Sequence, residues 1–265
     1  MQRRGRHAGD MGAILFEGSH LRCRWMGRAL DQADLDRLAA DVRERVFDLA
    51  FSDEVEAQMR DLAQTDFSTE WLDSFLAAGR QNDVLPWQVG EALVEAVLEA
   101  EFAVVLPWNT KRDQRTPKAS LPGADLVGLC QVNDEWHLVF GEIKSSSDKA
   151  CPPGVVHGKS GLVQQLERIL NDPSVQFELI RWLMARVPDG ELSSGFSEAL
   201  TRFVNTRGAG TRLIGSLVRD TSPNELDVST RGRNLGGLIG DPGTAELHVW
   251  YLPIPMADWP GLVAA

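Results

Sequence analysis

Cysteine is scarce in this chain. The three present in 265 residues, Cys23, Cys130 and Cys151, are odd in number, widely spaced and never arranged as Cys-x-x-Cys. That argues against a disulfide framework and against a zinc knuckle. Cys130, in an apolar stretch, reads as an ordinary buried strand residue. Long apolar runs are also missing: nothing approaches the roughly 20 residues a membrane helix needs. The Arg3-Arg4 pair precedes only the short Met11 to Phe16 stretch, too brief for a secretory signal. A soluble, cytoplasmic globular protein is the expectation. The five histidines, His7, His20, His137, His157 and His248, show no metal-ligand spacing. Ser145, Ser146 and Ser147 lack a nucleophile elbow, which argues against a serine hydrolase. The Gly154 to Ser160 segment is one residue short of a phosphate-binding loop and has Pro153 where the first glycine is needed, so it reads as a flexible loop rather than a nucleotide site. There is no internal repeat and no low-complexity tract.

Positive charge is in deficit as well, with a formal net charge of -11. Its distribution is uneven. Residues 1–30 carry six arginines against Asp10 and Glu17, a net +4, whereas residues 31–101 carry 18 acids against five bases, a net -13, which leaves -2 for residues 102–265. The acidity belongs to one region, so a nucleic-acid enzyme is not excluded. A partner protein is expected to supply part of the phosphate affinity.

With 43% hydrophobic residues the chain is long enough to bury a substantial core. Leu35, Leu38, Val42, Val46, Leu49 and Ala50 recur at spacings of three and four, predicting a helix over 31–64 with an acidic outer face. Trp71, Phe75 and Leu76 predict a short helix before Gly79, and Pro86 opens another from Trp87 to Glu101. The eight tryptophans are scattered and read as core, although Trp108, beside the basic loop Lys111, Arg112, Arg115 and Lys118, is placed to touch nucleic acid. Two β-rich segments follow, Ala124 to Val132 and Trp136 to Lys144. After the Pro/Gly-rich loop from Cys151 to Gly161, helical patterns cover Leu162 to Leu170, Val175 to Val187 and Ser194 to Val204. Leu213 to Arg219 and Glu246 to Leu252 read as strands. This order predicts an α/β sandwich around a small mixed sheet. The expected division is an N-terminal extension and acidic helical region over 1–84 and a second domain over 85–265.

The two β-rich segments carry the chemistry. Taking Asn133 and Asp134 as a two-residue turn pairs Val132 with Glu135 and sets Asp125 opposite Glu142. Opposed residues of an antiparallel pair share a face with β-carbons about 4.5 to 5.5 Å apart, near enough for both carboxylates to bind one divalent ion. Lys144, two residues beyond Glu142, shares that face. Oxygen ligands favour Mg²⁺ or Mn²⁺, and such an ion with a lysine beside it suits phosphodiester hydrolysis. An E-x-K triplet alone arises by chance about once in a chain this size. What raises it above chance is its setting: Leu138, Phe140, Val127 and Leu129 on the same side and Val139, Ile143 and Leu126 on the other are apolar, so the charges end strands buried on both faces. His137 falls on the face opposite Glu142 and reads as structural.

Pro122-Gly-Ala-Asp125, a strand, a turn and Gly141-Glu-Ile-Lys144 resemble the motif of the PD-(D/E)XK nuclease superfamily. The resemblance covers the helix at 87–101 through the helix at 162–170, less than half the chain. It implies a restriction-endonuclease-like core, a mixed sheet flanked by helices, with Asp125 and Glu142 as metal ligands and Lys144 as the catalytic lysine. It also implies an acidic ligand on the preceding helix, for which Glu91 matches best and Glu95 lies one turn away. A glutamine or lysine on the following helix is implied too; Gln165 and Gln164 are candidates, and Lys159 is placed to meet phosphate. The chain departs from the Q-x-x-x-Y version, with Arg168 and Ile169 at the possible tyrosine positions. Within the superfamily, the Gly-Glu-Ile-Lys-Ser string and the preceding helical region look most like the nuclease subunit of Hachiman-type antiphage defence systems, which implies DNA as substrate and a helicase partner.

Overall fold

A computed structural model describes residues 11–63, 65–79, 83–114 and 123–264. Arg3, Arg4, His7, Arg115, Lys118 and Pro122 lie outside the described residues. Two strands open the chain, β1 (Ala13–His20) and β2 (Cys23–Ala29), followed by four helices, α1 (Gln32–Phe47), α2 (Leu49–Leu62), α3 (Asp66–Gly79) and α4 (Pro86–Glu101). The short β3 (Val104–Val105) leads to β4 (Leu126–Val132) and β5 (Glu135–Ser146). Helices α5 (Gly154–His157), α6 (Leu162–Asn171), α7 (Pro173–Met184) and α8 (Glu191–Asn205) precede β6 (Arg212–Arg219), α9 (Ser229–Gly236) and β7 (Thr244–Tyr251). The fold is α/β, a mixed seven-stranded sheet in the order β1-β2-β7-β6-β5-β4-β3.

β5, β6, β7 and β2 run parallel, while β1 and β4 pair antiparallel at the two flanks. Parallel neighbours need crossovers, and these supply helices to cover both faces. On one face Leu138 and Phe140 pack with Leu162, Leu166 and Ile169 of α6, Leu179 and Leu183 of α7 and Phe196 of α8. On the other, Val139, Ile143 and Ile214 pack with Val89, Leu93 and Val97 of α4 and Leu35, Leu38 and Val42 of α1. Burial on both sides explains why the central strands read as continuous apolar runs.

Three expectations change. The helix predicted over 31–64 breaks at Asp48, whose backbone is left-handed (φ 49) and whose carboxylate takes both Nε and Nη2 of Arg112 at 2.7 and 2.9 Å. That bidentate tie belongs to tertiary structure and outweighs local helix preference. Beyond the break Leu49 is half-buried and Ala50 exposed, and α2 buries nothing, so these two leave the predicted core face. The Pro/Gly loop from Cys151 to Gly161 contains the one-turn helix α5. Lastly, β1 and β2 belong to the main sheet, β2 pairing with β7 from Cys23↔Ala245 to Ala29↔Tyr251. The sheet therefore takes strands from both sides of the expected boundary at residue 84. β1 is largely exposed and lacks a clear two-residue alternation, so little in its sequence marks it as a strand.

Candidate active site

The hairpin turn sets the geometry of the site. Asn133 and Asp134 both adopt left-handed backbone (φ 51 and 63), the two-residue turn whose twist suits a hairpin and which these residue types tolerate. The register then runs from Val132↔Glu135 to Leu126↔Gly141. Asp125 is the next residue out, beside Glu142. It stands just before β4, and its Oδ2 accepts the backbone N–H of Ile143 at 2.8 Å. The side chain thus extends the ladder by one rung and holds its carboxyl against β5.

Alternation along β5 sends Glu142 and Lys144 to the face of Leu138 and Phe140. Glu142 is only 2% exposed. Lys144 Nζ donates to its Oε1, while Oε2 is buried and receives no hydrogen bond. The neighbouring group is the Asp125 carboxyl, which can share a hydrogen bond with Glu142 only while one of the two holds a proton. Burial, then the charge of Asp125, pushes Glu142 up to about 7, against the pull of Lys144. Burial also raises Asp125, opposed by the Ile143 N–H and by Lys144. Lys144 would be lowered by burial, but Glu142, Asp125 and Glu91 outweigh this and hold its ammonium above the ordinary value.

α4 lies in the opposite helical layer and reaches the site through a glycine. A β-carbon on Gly90 would collide with Ser145 Oγ, so the helix approaches β5 as closely as it does only because that side chain is missing. Glu91 follows at once. Burial, then Asp125 and Glu95, pushes it up to about 9, with weaker effects from Lys144 and Glu142. Glu95 is pushed only to about 7, since burial is opposed by Arg45, whose Nη1 lies 3.3 Å from its Oε2. Glu91 has no ion pair among the described residues, and this separates the two candidates. Arg45 pairs with Glu95, whereas burial and the charge of Asp125 favour the protonated form of Glu91 while no cation is present. Arg45 carries no motif in the sequence, but the glycine inside an otherwise helical Val89-Gly90-Glu91 is the signal for Gly90.

Gln165 lines a groove beside Gly123, two residues before Asp125, but no hydrogen bond joins it to Asp125, Glu142 or Lys144. Gln164 and Lys159 are exposed, and neither hydrogen-bonds to that trio. Trp108 is taken up by arginines, with Arg112 and Arg186 at 4.9 and 5.5 Å from its ring centroid. Cys130 is buried in the sheet, as expected. A residue the sequence did not mark is Arg219, fully buried at the end of β6 opposite Ser146. It donates to Asp227 and to the carbonyls of Asp148 and Ala150, tying down the loop that leaves β5, while Tyr251 Oη donates to Asp227 at 2.6 Å.

The donor set fits a hard divalent cation. A buried, unpartnered carboxylate oxygen next to a second carboxylate lacks the positive charge that a cation supplies. Among the described residues no three His, Cys, Asp or Glu side chains form a ready-made metal cage. Asp125 and Glu142 are the adjoining pair, and Glu91 stands where it senses their charge. Two protein carboxylates suit Mg²⁺ or Mn²⁺, which commonly keep several waters. No protein-family model matches the chain, and no curated protein sequence matches it.

Proposed function

We propose that this protein is an Mg²⁺- or Mn²⁺-dependent nuclease that hydrolyses DNA phosphodiester bonds. The observation that carries this reading is half-buried Asp125 beside buried Glu142, whose Oε2 has no hydrogen-bond partner, with Lys144 next to them. Asp125 and Glu142 would hold the ion, and Glu91, which feels their charge, would join them once ionised. When bound, the ion lowers the pKa of a coordinated water and offsets charge on the phosphate. Lys144 is 27% exposed in its side chain and its ammonium is bonded to Glu142. It can donate to a phosphate oxygen or orient the attacking water, stabilising the charge that develops. The Ile143 N–H, by donating to Asp125, holds that carboxyl against β5.

The test is cleavage of plasmid, single-stranded DNA and RNA with Mg²⁺ or Mn²⁺. Asp125→Ala and Glu142→Ala are expected to abolish cleavage; equal cleavage by wild type and both variants would sink the reading. The Gly141 to Ser145 string extends the proposal to the effector of an antiphage defence system that works with a helicase partner.

A second reading is favoured by a separate surface. Across residues 49–79, seven acids face the single base Arg60, itself paired with Glu56 and Asp73. Phe67, Trp71 and Phe75 recur every four residues on α3, are exposed, and Trp71 stacks on Phe75 at 5.1 Å. α2 and α3 together bury only Leu72. An apolar stripe rimmed by acids suits a partner protein that presents a basic amphipathic helix. In this reading the chain is a non-catalytic interaction subunit with a nuclease-like fold. Calorimetric titration with Mn²⁺ separates the two, because a docking subunit needs no carboxylate-dependent metal site.

A further inference from the structure

α6 and α7 lie on the sheet face toward which Glu142 and Lys144 project. Between these helices and the bend at Gly123 runs a groove of about 730 Å³, within the roughly 300–1,000 Å³ typical of ligand sites. Most of its lining comes from α7, including Phe177, Arg181 and Trp182, and from Arg186 just past its end. Its chemistry alternates between flat rings and guanidinium groups. Phe177 is 62% exposed and has no partner ring among the described residues. Trp182 is held in place by its Nε1 bond to Asp113 at 2.9 Å and by the Arg186 guanidinium 4.4 Å from its ring centroid. Arg181 pairs with exposed Glu178, and Arg186 with Asp113. Arg168 has no ion pair among the described residues and stands exposed in the same wall as Gln165.

We infer that this groove binds an unpaired nucleic-acid strand and leads it to the carboxylate pair, a proposal that rests on the nuclease reading of that site. Unpaired bases can stack on an exposed ring, and cations spaced along the wall can follow the backbone. A duplex keeps its bases stacked inside, so Phe177 would have nothing to receive from it. Proximity supplies direction: Gly123 lines the groove and Asp125 follows two residues later.

The experiment is fluorescence anisotropy of a labelled oligothymidine and of a hairpin duplex of equal length, both in EDTA so that no cleavage intervenes. Wild type is expected to bind the single strand more tightly. Phe177→Ala should weaken single-strand binding about tenfold while leaving duplex binding unchanged, since stacking on one aromatic contributes at that scale. Arg168→Ala should reduce the slope of log affinity against log salt by about 0.7. Both side chains are exposed, so the variants should melt with wild type; a variant that does not is replaced by Phe177→Leu or Arg168→Gln. No single-strand binding by wild type, a preference for duplex, or unchanged binding by Phe177→Ala would overturn the groove. Failure of the nuclease reading shows differently, as strand binding that persists with no metal-dependent cleavage.

Discussion

Replacing Glu142 by glutamine should make the metal-free protein more stable and the metal-loaded protein inactive. In the folded state the Glu142 carboxyl sits at about 7 against an ordinary 4.5, and it is 2% exposed. The folded state therefore holds this proton more tightly than the unfolded chain does. The resulting penalty is absent below pH 4.5, grows as pH rises toward 7 and is constant above that. At about 1.4 kcal/mol per pH unit the interval corresponds to roughly 3 kcal/mol at pH 8. Glutamine has nearly the same volume and no charge. Lys144 loses its ion pair with Glu142, but the glutamine carbonyl oxygen can still accept from it, and it remains near Asp125 and Glu91. The expected net gain is about 2 kcal/mol at pH 8, read by urea denaturation in EDTA, and it should vanish near pH 4.5. Adding Mn²⁺ at a hundred times its dissociation constant should raise wild type by about 2.7 kcal/mol and leave the variant unmoved. A variant less stable than wild type in EDTA at pH 8, or one that gains equally from Mn²⁺, would refute the claim that Glu142 is a charge held in place for a cation.

Three further outcomes are expected. Calorimetric Mn²⁺ affinity should rise between pH 6 and pH 8 with protons released to the buffer, because Glu142 at about 7 and Glu91 at about 9 must ionise to serve a cation; a flat profile contradicts this. Gly90→Ala should lower stability by about 1–2 kcal/mol in thermal melts, since overpacking against Ser145 exceeds the helix-propensity gain of about 1 kcal/mol, and Ser145→Ala should recover part of the loss. Arg219→Met, which leaves Asp227 buried without its cation, should cost about 3–5 kcal/mol in urea denaturation; adding Asp227→Leu should recover most of it, and a double variant no better than the single would contradict the buried-pair account.

The hairpin was legible because its information is local. Asn133 and Asp134 select a turn, the turn sets the register, and the register decides which side chains meet. The helix from Pro86 to Glu101 was legible for a similar reason: proline at its start and an apolar stripe along it. Asp48 was not, since the sequence around it is good helix and only the distant Arg112 breaks it. Nor was the place of β2 in the main sheet, since it pairs locally with β1 but its other partner β7 begins more than two hundred residues away. Arg219 was hidden because an arginine at a strand end reads as solvated, and only the fold surrounds it with Asp227 and two carbonyls.

The sequence alone determined that Asp125 and Glu142 stand side by side with Lys144 on the same face, because strand alternation and a two-residue turn leave no other arrangement. Tertiary structure decided the rest of the site. It sent Arg45 to Glu95 and not to Glu91, and it left Glu142 Oε2 buried without a donor. It also joined residues 13–29 to a sheet whose other strands begin after residue 100. Those outcomes depend on contacts between segments far apart in the chain, and side-chain desolvation and charge pairing exist only once those contacts have formed.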